Sequence, residues 1–195
     1  MERMKKWMTL LFVCLLAACS REMPMVEKQS VLAPPVPPPP ALSYYEGTHA
    51  AEGIQQIRAK VGEPFRVLKI SIDDDSIMLQ AQDPKKRENV DEYRISRGQL
   101  KPATPVELFG QTDQETLEAN LFDPADVDFT KIPDLVREAN EKIQLEGREM
   151  SGISIDRDMF DEHRPIQIDV DYRGTRKHGY LRADRKGAHT TVSIF

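Results

Sequence analysis

Cysteine is nearly missing from this 195-residue chain: there are two, and both precede residue 20. That excludes a disulfide framework and any multi-cysteine zinc or iron–sulfur centre. Aromatic residues make up only 7%, and the net charge is −5. Both argue against a dedicated nucleic-acid binder, which needs a basic domain. The four histidines, His49, His163, His178 and His189, are scattered, with none three or four residues from another. A helical metal pair is thereby removed. There is no Gly-x-Ser-x-Gly elbow, no phosphate-binding glycine loop and no His-Glu-x-x-His. Two acidic groups, Asp73 to Asp75 and Asp123, Asp126 and Asp128, fail the calcium-loop pattern, because Met78 and Asp128 stand where a glycine is needed. The expectation is therefore no catalytic residue, no metal site and no cofactor. A membrane-spanning run is missing too. The apolar stretch from Trp7 to Leu16 reaches about 15 Å as a helix, against a hydrocarbon core of roughly 30 Å.

What is present starts with an address. Arg3, Lys5 and Lys6 precede the apolar run, and Leu16-Ala17-Ala18-Cys19 ends it. Residues 1–18 read as a signal peptide. Leu-Ala-Ala-Cys in this position resembles the bacterial lipoprotein box. The resemblance implies that Cys19 is lipidated and becomes the first mature residue. Ser20, where an Asp would signal retention, resembles the outer-membrane sorting pattern, with the inner membrane left open. Two or more acyl chains anchor stably where one is marginal. Cys14 would leave with the signal, so no free thiol would enter an oxidising periplasm.

Residues 19–43 hold Pro24, Pro34, Pro35 and Pro37 through Pro40. This composition cannot build a core and prefers extended polyproline II. Fully extended, it reaches roughly 70 Å at about 3.1 Å per residue. A spacer between membrane and fold is the reading adopted. The rival, a ligand for a proline-binding module, has no flanking specificity residue in its favour.

The remainder contains one pattern twice, in units spanning 44–110 and 111–195. In the first, Ile54, Ile57 and Val61 mark a helix over Ala51 to Val61, stopped by Gly62. Alternating strands follow at Phe65 to Ile72 and Ser76 to Gln82, turned by Asp73-Asp74-Asp75. A third is expected around Tyr93 and Ile95, and a fourth at Val106 to Leu108. A connector comes next, where Thr112 is expected to cap a short helix over Gln114 to Leu121, and Phe129 and Pro133 to fasten the second helix. That helix spans Ile132 to Leu145, with Leu135, Val136, Ala139 and Ile143 as its apolar stripe and Gly147 beyond it. Strands are expected at Met150 to Asp156, Ile166 to Tyr172, Lys177 to Asp184 and Thr190 to Phe195. Strands with one wet face need a cover on the other, and the helices supply it. The fold class is α+β: two similar units, each a helix on a three- to four-stranded antiparallel sheet.

The helix–Gly–strand steps at Gly62 and Gly147, and the strands carrying Tyr93 and Tyr180, resemble the PepSY-like periplasmic domains. More loosely, they resemble tandem β-lactamase-inhibitor-like proteins. The resemblance implies protein binding, in the manner of an inhibitor or an assembly accessory, and no transferable catalytic residue.

Charge is unevenly spread. Residues 111–171 hold 17 acids and 6 bases, whereas 172–195 hold 6 bases and 1 acid. The bases are Arg173, Arg176, Lys177, Arg182, Arg185 and Lys186. One reading pairs them with Asp169 and Asp171 across the sheet. The other makes them a patch for an anionic partner: lipid headgroups, a cell-wall polymer or an acidic protein. The function expected is a non-enzymatic lipoprotein, tied to the membrane by its lipid anchor and binding a periplasmic or envelope protein, with no nucleic-acid partner. Alternatives are an immunity-type protein against a delivered toxin, a structural spacer, or an envelope hydrolase built from scattered Asp, Glu and His.

Overall fold

The computed structural model describes residues 42–108 and 114–195. The signal peptide, Cys19, the tether up to residue 41 and the Thr112 cap lie outside the described residues. Helix α1 (His49–Val61) is followed by β1 (Val67–Ile72), β2 (Ser76–Gln82), β3 (Val90–Ser96) and the short β4 (Gln99–Leu100) and β5 (Thr104–Pro105). Helix α2 (Gln114–Asn120) and two 3₁₀ turns lead to α3 (Ile132–Lys142). Then come β6 (Glu149–Arg157), β7 (Ile166–Arg173), β8 (His178–Asp184) and β9 (Thr191–Ile194).

These strands form one antiparallel sheet in the order β4-β3-β2-β1-β6-β7-β8-β9, with β5 also on β3. The fold is α+β, as the patterning indicates. Its two halves meet where β1 pairs antiparallel with β6, Ile70 opposite Ile155 and Ile72 opposite Ile153. From that central pair each half runs outward as a meander, and each is preceded by its helix.

Side chains of period 2 decide the faces. Ile166, Ile168, Val170 and Tyr172 of β7 are all buried, as are Ile70 and Ile72 of β1 and Ile77, Leu79 and Ala81 of β2. Each such Val or Ile contributes about 1.5–3 kcal/mol of apolar burial. Ile54 and Ile57 of α1 and Ile132, Leu135 and Ala139 of α3 join them in one core, so both helices cover the same face. Phe122, Val127 and Phe129 bring the connector into it. Gly62, at φ 90°, ends α1, and its N–H reaches the Arg58 carbonyl at 2.9 Å.

Three details differ from the sequence reading. The fourth strand is not at Val106 to Leu108. The chain touches β3 through two-residue pairings instead, and Pro105, which has no N–H to donate, fits such an edge. Helix α3 stops at Lys142, and Ile143 is already extended (φ −92°, ψ 103°) although still fully buried. Its apolar stripe therefore outlasts its helix. Finally, Tyr93 and Tyr180 are not equivalent. Tyr93 stands opposite Leu79 and packs on the core, whereas Tyr180 stands opposite Asp171 on the other face.

Candidate functional site

The face away from α1 and α3 divides into two environments. Beside β1, β2 and β3 it is covered by α2. A bulge at Leu68 breaks the β1·β2 register, so Val67 and Ile70 both face the core while Leu68 packs towards α2. Leu117 and Leu121 close on Val90 and Leu68. Glu118 projects from the same helix into a ring of donors. It accepts from Gln82 Nε2 at 3.0 Å, Gln114 Nε2 at 2.7 Å and Arg87 Nη2 at 2.8 Å, and it pairs with Arg66. Burial pushes its carboxyl up, but the hydrogen bonds from Gln82, Arg66 and Gln114 prevail and hold it at about 2. This carboxylate is satisfied.

Over β6, β7 and β8 no helix among the described residues covers the face. The side chains there are Ser154 and Asp156 of β6, Gln167, Asp169 and Asp171 of β7, and Tyr180 and Arg182 of β8. Arg182 is committed to its cross-strand neighbour, donating to Asp169 from Nε at 2.8 Å and Nη2 at 2.7 Å. Its guanidinium lies 5.0 Å from the Tyr180 ring centroid. Asp156 and Asp171 have no such partner. Among the described residues neither forms an ion pair, although Lys69 lies directly across from Asp156 on β1. Burial raises both carboxyls above the ordinary Asp value, and the Asp169 charge adds to it.

Asp156 lies on the floor of a groove of about 350 Å³. Leu68, Lys69, Gln80 and Gln167 complete the floor, Asn120 at the end of α2 forms one wall, and the β6–β7 loop forms the other with Met159 and Phe160. That loop is braced. Asp158 Oδ1 accepts the Phe160 N–H at 3.0 Å, and Asp161 Oδ1 accepts the His163 N–H at 2.8 Å. Arg157 donates to the Arg164 carbonyl at 2.7 Å, and Arg164 donates to Asn120 Oδ1 at 2.8 Å. On this fixed loop the Phe160 side chain is fully in solvent, with a relative exposure of 102%.

A wider depression of about 670 Å³ lies on the helix side, between α3 and residues 43–46. Its main polar groups are already engaged. Arg148 donates to the Asn140 and Ile143 carbonyls at 2.6 and 2.7 Å, and the Tyr172 hydroxyl donates to Asn140 Oδ1 at 2.9 Å. The sheet edge offers something different: β9 exposes Val192 and Ile194, and Phe195 stacks over His178 with centroids 6.1 Å apart.

The six cations singled out in the sequence do not form one patch. Arg173 ends β7, and Arg176 and Lys177 occupy the β7–β8 turn. Arg185 and Lys186 occupy the β8–β9 turn, at the opposite end of the seven-residue β8, about 20 Å away at the rise of a strand. Arg182, between them, is neutralised by Asp169. Of the two pairings expected, Asp169 with Arg182 is made and Asp171 is left without a cation, because Tyr180 is the residue opposite it. The features missed in the sequence are Asp156 and Phe160. Asp156 carried a signal, since it alternates with Ile153 and Ile155 and so belongs to the polar face of its strand. Among the described residues no three His, Cys, Asp or Glu side chains are grouped to hold a metal, and no helix is long and apolar enough to cross a membrane.

A solved structure shares this fold. It is a candidate lipoprotein of Clostridium difficile 630, similar at a TM-score of 0.50 and 13% identity over 80% of this chain and 94% of that one. At that identity the likeness is one of fold alone. No protein-family model matches the chain, and no curated protein matches it.

Proposed function

We propose that the chain is a lipid-anchored envelope lipoprotein whose α+β module binds a protein in the periplasm and performs no chemistry of its own. The anchor is Cys19, and the outer membrane is its destination. The observation carrying the binding reading is the half of the sheet face without a helix among the described residues, where Asp156 and Asp171 are half-buried and make no ion pair, beside an exposed Phe160. Leaving charges so placed costs stability, and a partner that pairs them recovers it. The unguarded edge strand β9 adds backbone groups that a partner strand can take up. The likeness in fold to a candidate lipoprotein agrees with the anchor. The repeated order of helix and meander agrees with PepSY-like or inhibitor-like modules that act by binding.

The test is affinity purification of the lipidated protein from envelope extracts. A stoichiometric partner is expected, and its absence under every extraction condition sinks the binding reading. For the anchor, Cys19→Ala should release the protein from membranes, and unchanged membrane retention contradicts it. A recovered nuclease or pore-forming toxin would select the immunity-type alternative. The raised carboxyls of Asp156 and Asp171 favour one rival from another class, an envelope hydrolase. That rival requires turnover of a cell-wall polymer that Asp156→Asn abolishes.

A further inference from the structure

We infer that the groove between α2 and the β6–β7 loop receives a lysine or arginine side chain of a protein partner, its charged head on Asp156 and its stem against Leu68 and Phe160. The inference deepens the binding reading above and rests on it. It also sets the sign of the partner's surface, which the cation-rich end of the sequence would have set the other way.

The occupant follows from what the groove offers and lacks. Its floor is apolar at Leu68, and its lip carries the aromatic ring of Phe160, a surface that suits a long aliphatic stem. A cation near that ring gains the attraction of its face as well. Asp156 is the half-buried charge on the floor that lacks an ion pair, and Asp158 on the wall already holds the Phe160 N–H, with Arg182 only 3.9 Å from its other oxygen. The local cations do not fill the place. Lys69 lines the groove across from Asp156 and its charge acts on that carboxyl, but its side chain is exposed and makes no ion pair among the described residues; Arg182 is bidentate to Asp169, and Arg157 turns to the Leu121 and Arg164 carbonyls. An anionic occupant would meet the carboxylates of Asp156 and Asp158.

A protein fits better than a small amine because the anchor is built for a large body. Phe160, at the lip of the groove, stands in solvent on a loop held by hydrogen bonds to its own carboxylates and to Asn120. An aromatic on a braced backbone loses less entropy on docking than one on a loose loop, which suits an interface anchor. The loop carries Asp158, Asp161 and Glu162 against Arg164, a net negative charge that complements a basic rim.

The experiment uses the full-length lipidated protein with a photo-crosslinking residue at Gln167, on the groove floor, compared in envelope extracts with and without Asp156→Asn. The expected result is a partner cross-linked through a segment containing Lys or Arg, with recovery falling at least tenfold in Asp156→Asn and unchanged in Arg176→Glu/Lys177→Glu. Asp156→Asn removes an unpaired half-buried charge, so a lost partner is not explained by a lost fold, and thermal melting of the same sample checks this. A partner recovered equally well by Asp156→Asn, or cross-linked through a segment without a cation, overturns the inference and leaves the binding reading standing. No partner at any position overturns both. A free amine such as spermidine that competes the partner away at micromolar concentration would mark the groove as a small-molecule site and overturn the choice of a protein.

Discussion

Two carboxylates on the same sheet face live in opposite circumstances. Glu118 is carried by α2 into four donors and held at about 2. Asp156, on the other side of Leu68 and Gln80, has a single 3.4 Å contact from Gln167, and burial raises it instead. The first has been completed by the chain itself. The second is left with that one contact and no ion pair among the described residues. The difference teaches that the connector is more than a link between halves: it supplies a cover for one half of the open face, and among the described residues the other half has none.

Removing the cover should produce the largest effect. Leu117, 2% exposed, packs on Val90 and Leu121. Leu117→Ala is expected to cost about 2–5 kcal/mol in urea unfolding, the range for a buried Leu. Gln167→Ala on the bare half should stay within about 0.5 kcal/mol. Equal costs at the two positions would erase the contrast.

The charges come next. Glu118→Gln is expected to lose about 1–2 kcal/mol at pH 7, discounted for the partial exposure of Arg87. The folded carboxyl lies at about 2, below its ordinary 4.5. Its stabilisation is therefore present above pH 4.5 and lost as pH falls towards about 2. Wild type and Glu118→Gln should converge there, and a gap that persists at pH 2 breaks the account.

Asp156 has the reverse sign. Its folded carboxyl is raised above the ordinary 3.8, with Lys69 on β1 and Arg182 on β8 opposing burial and Asp169 on β7 adding to it. Ionising it costs the folded state, so stability is lost as pH rises from the ordinary Asp range through the folded value. Asp156→Asn should melt slightly above wild type at pH 7 and level with it at pH 3. A lower Tm at pH 7 would mean that Lys69 or another cation already pairs it.

Smallest of all should be Arg176→Glu/Lys177→Glu. Both side chains are exposed on a turn, and a change within about 0.5 kcal/mol with partner recovery intact is expected. A lost partner would return the interface to the cationic turn.

Much of the fold was legible because period 2 is hard to counterfeit. Ile166 to Tyr172 alternate cleanly, and all four apolar side chains are buried. The second helix was legible from its stripe, but its end was not: Ile143 stays buried after the backbone has turned extended, so hydrophobic period alone cannot mark the last turn. The edge pairings of β4 and β5 are two residues each, too short to leave a pattern. The site was less legible for a different reason. Which acid meets which base depends on register across strands, and one position separates Asp169, opposite Arg182, from Asp171, opposite Tyr180. Local charge counts placed interest on the cations of 172–195, whereas pairing across β7 and β8 cancels the central one and the turns separate the rest. Phe160 stands in no periodic pattern in the sequence, and its full exposure is seen only in the fold.

The most direct test of the contrast places a photo-crosslinker at Phe160, on the bare side, and at Arg87, beside the α2 cover, in the full-length lipidated protein. The account predicts that one envelope protein is captured from Phe160 and not from Arg87. Capture of that protein from Arg87 alone, or equally from both, would contradict it.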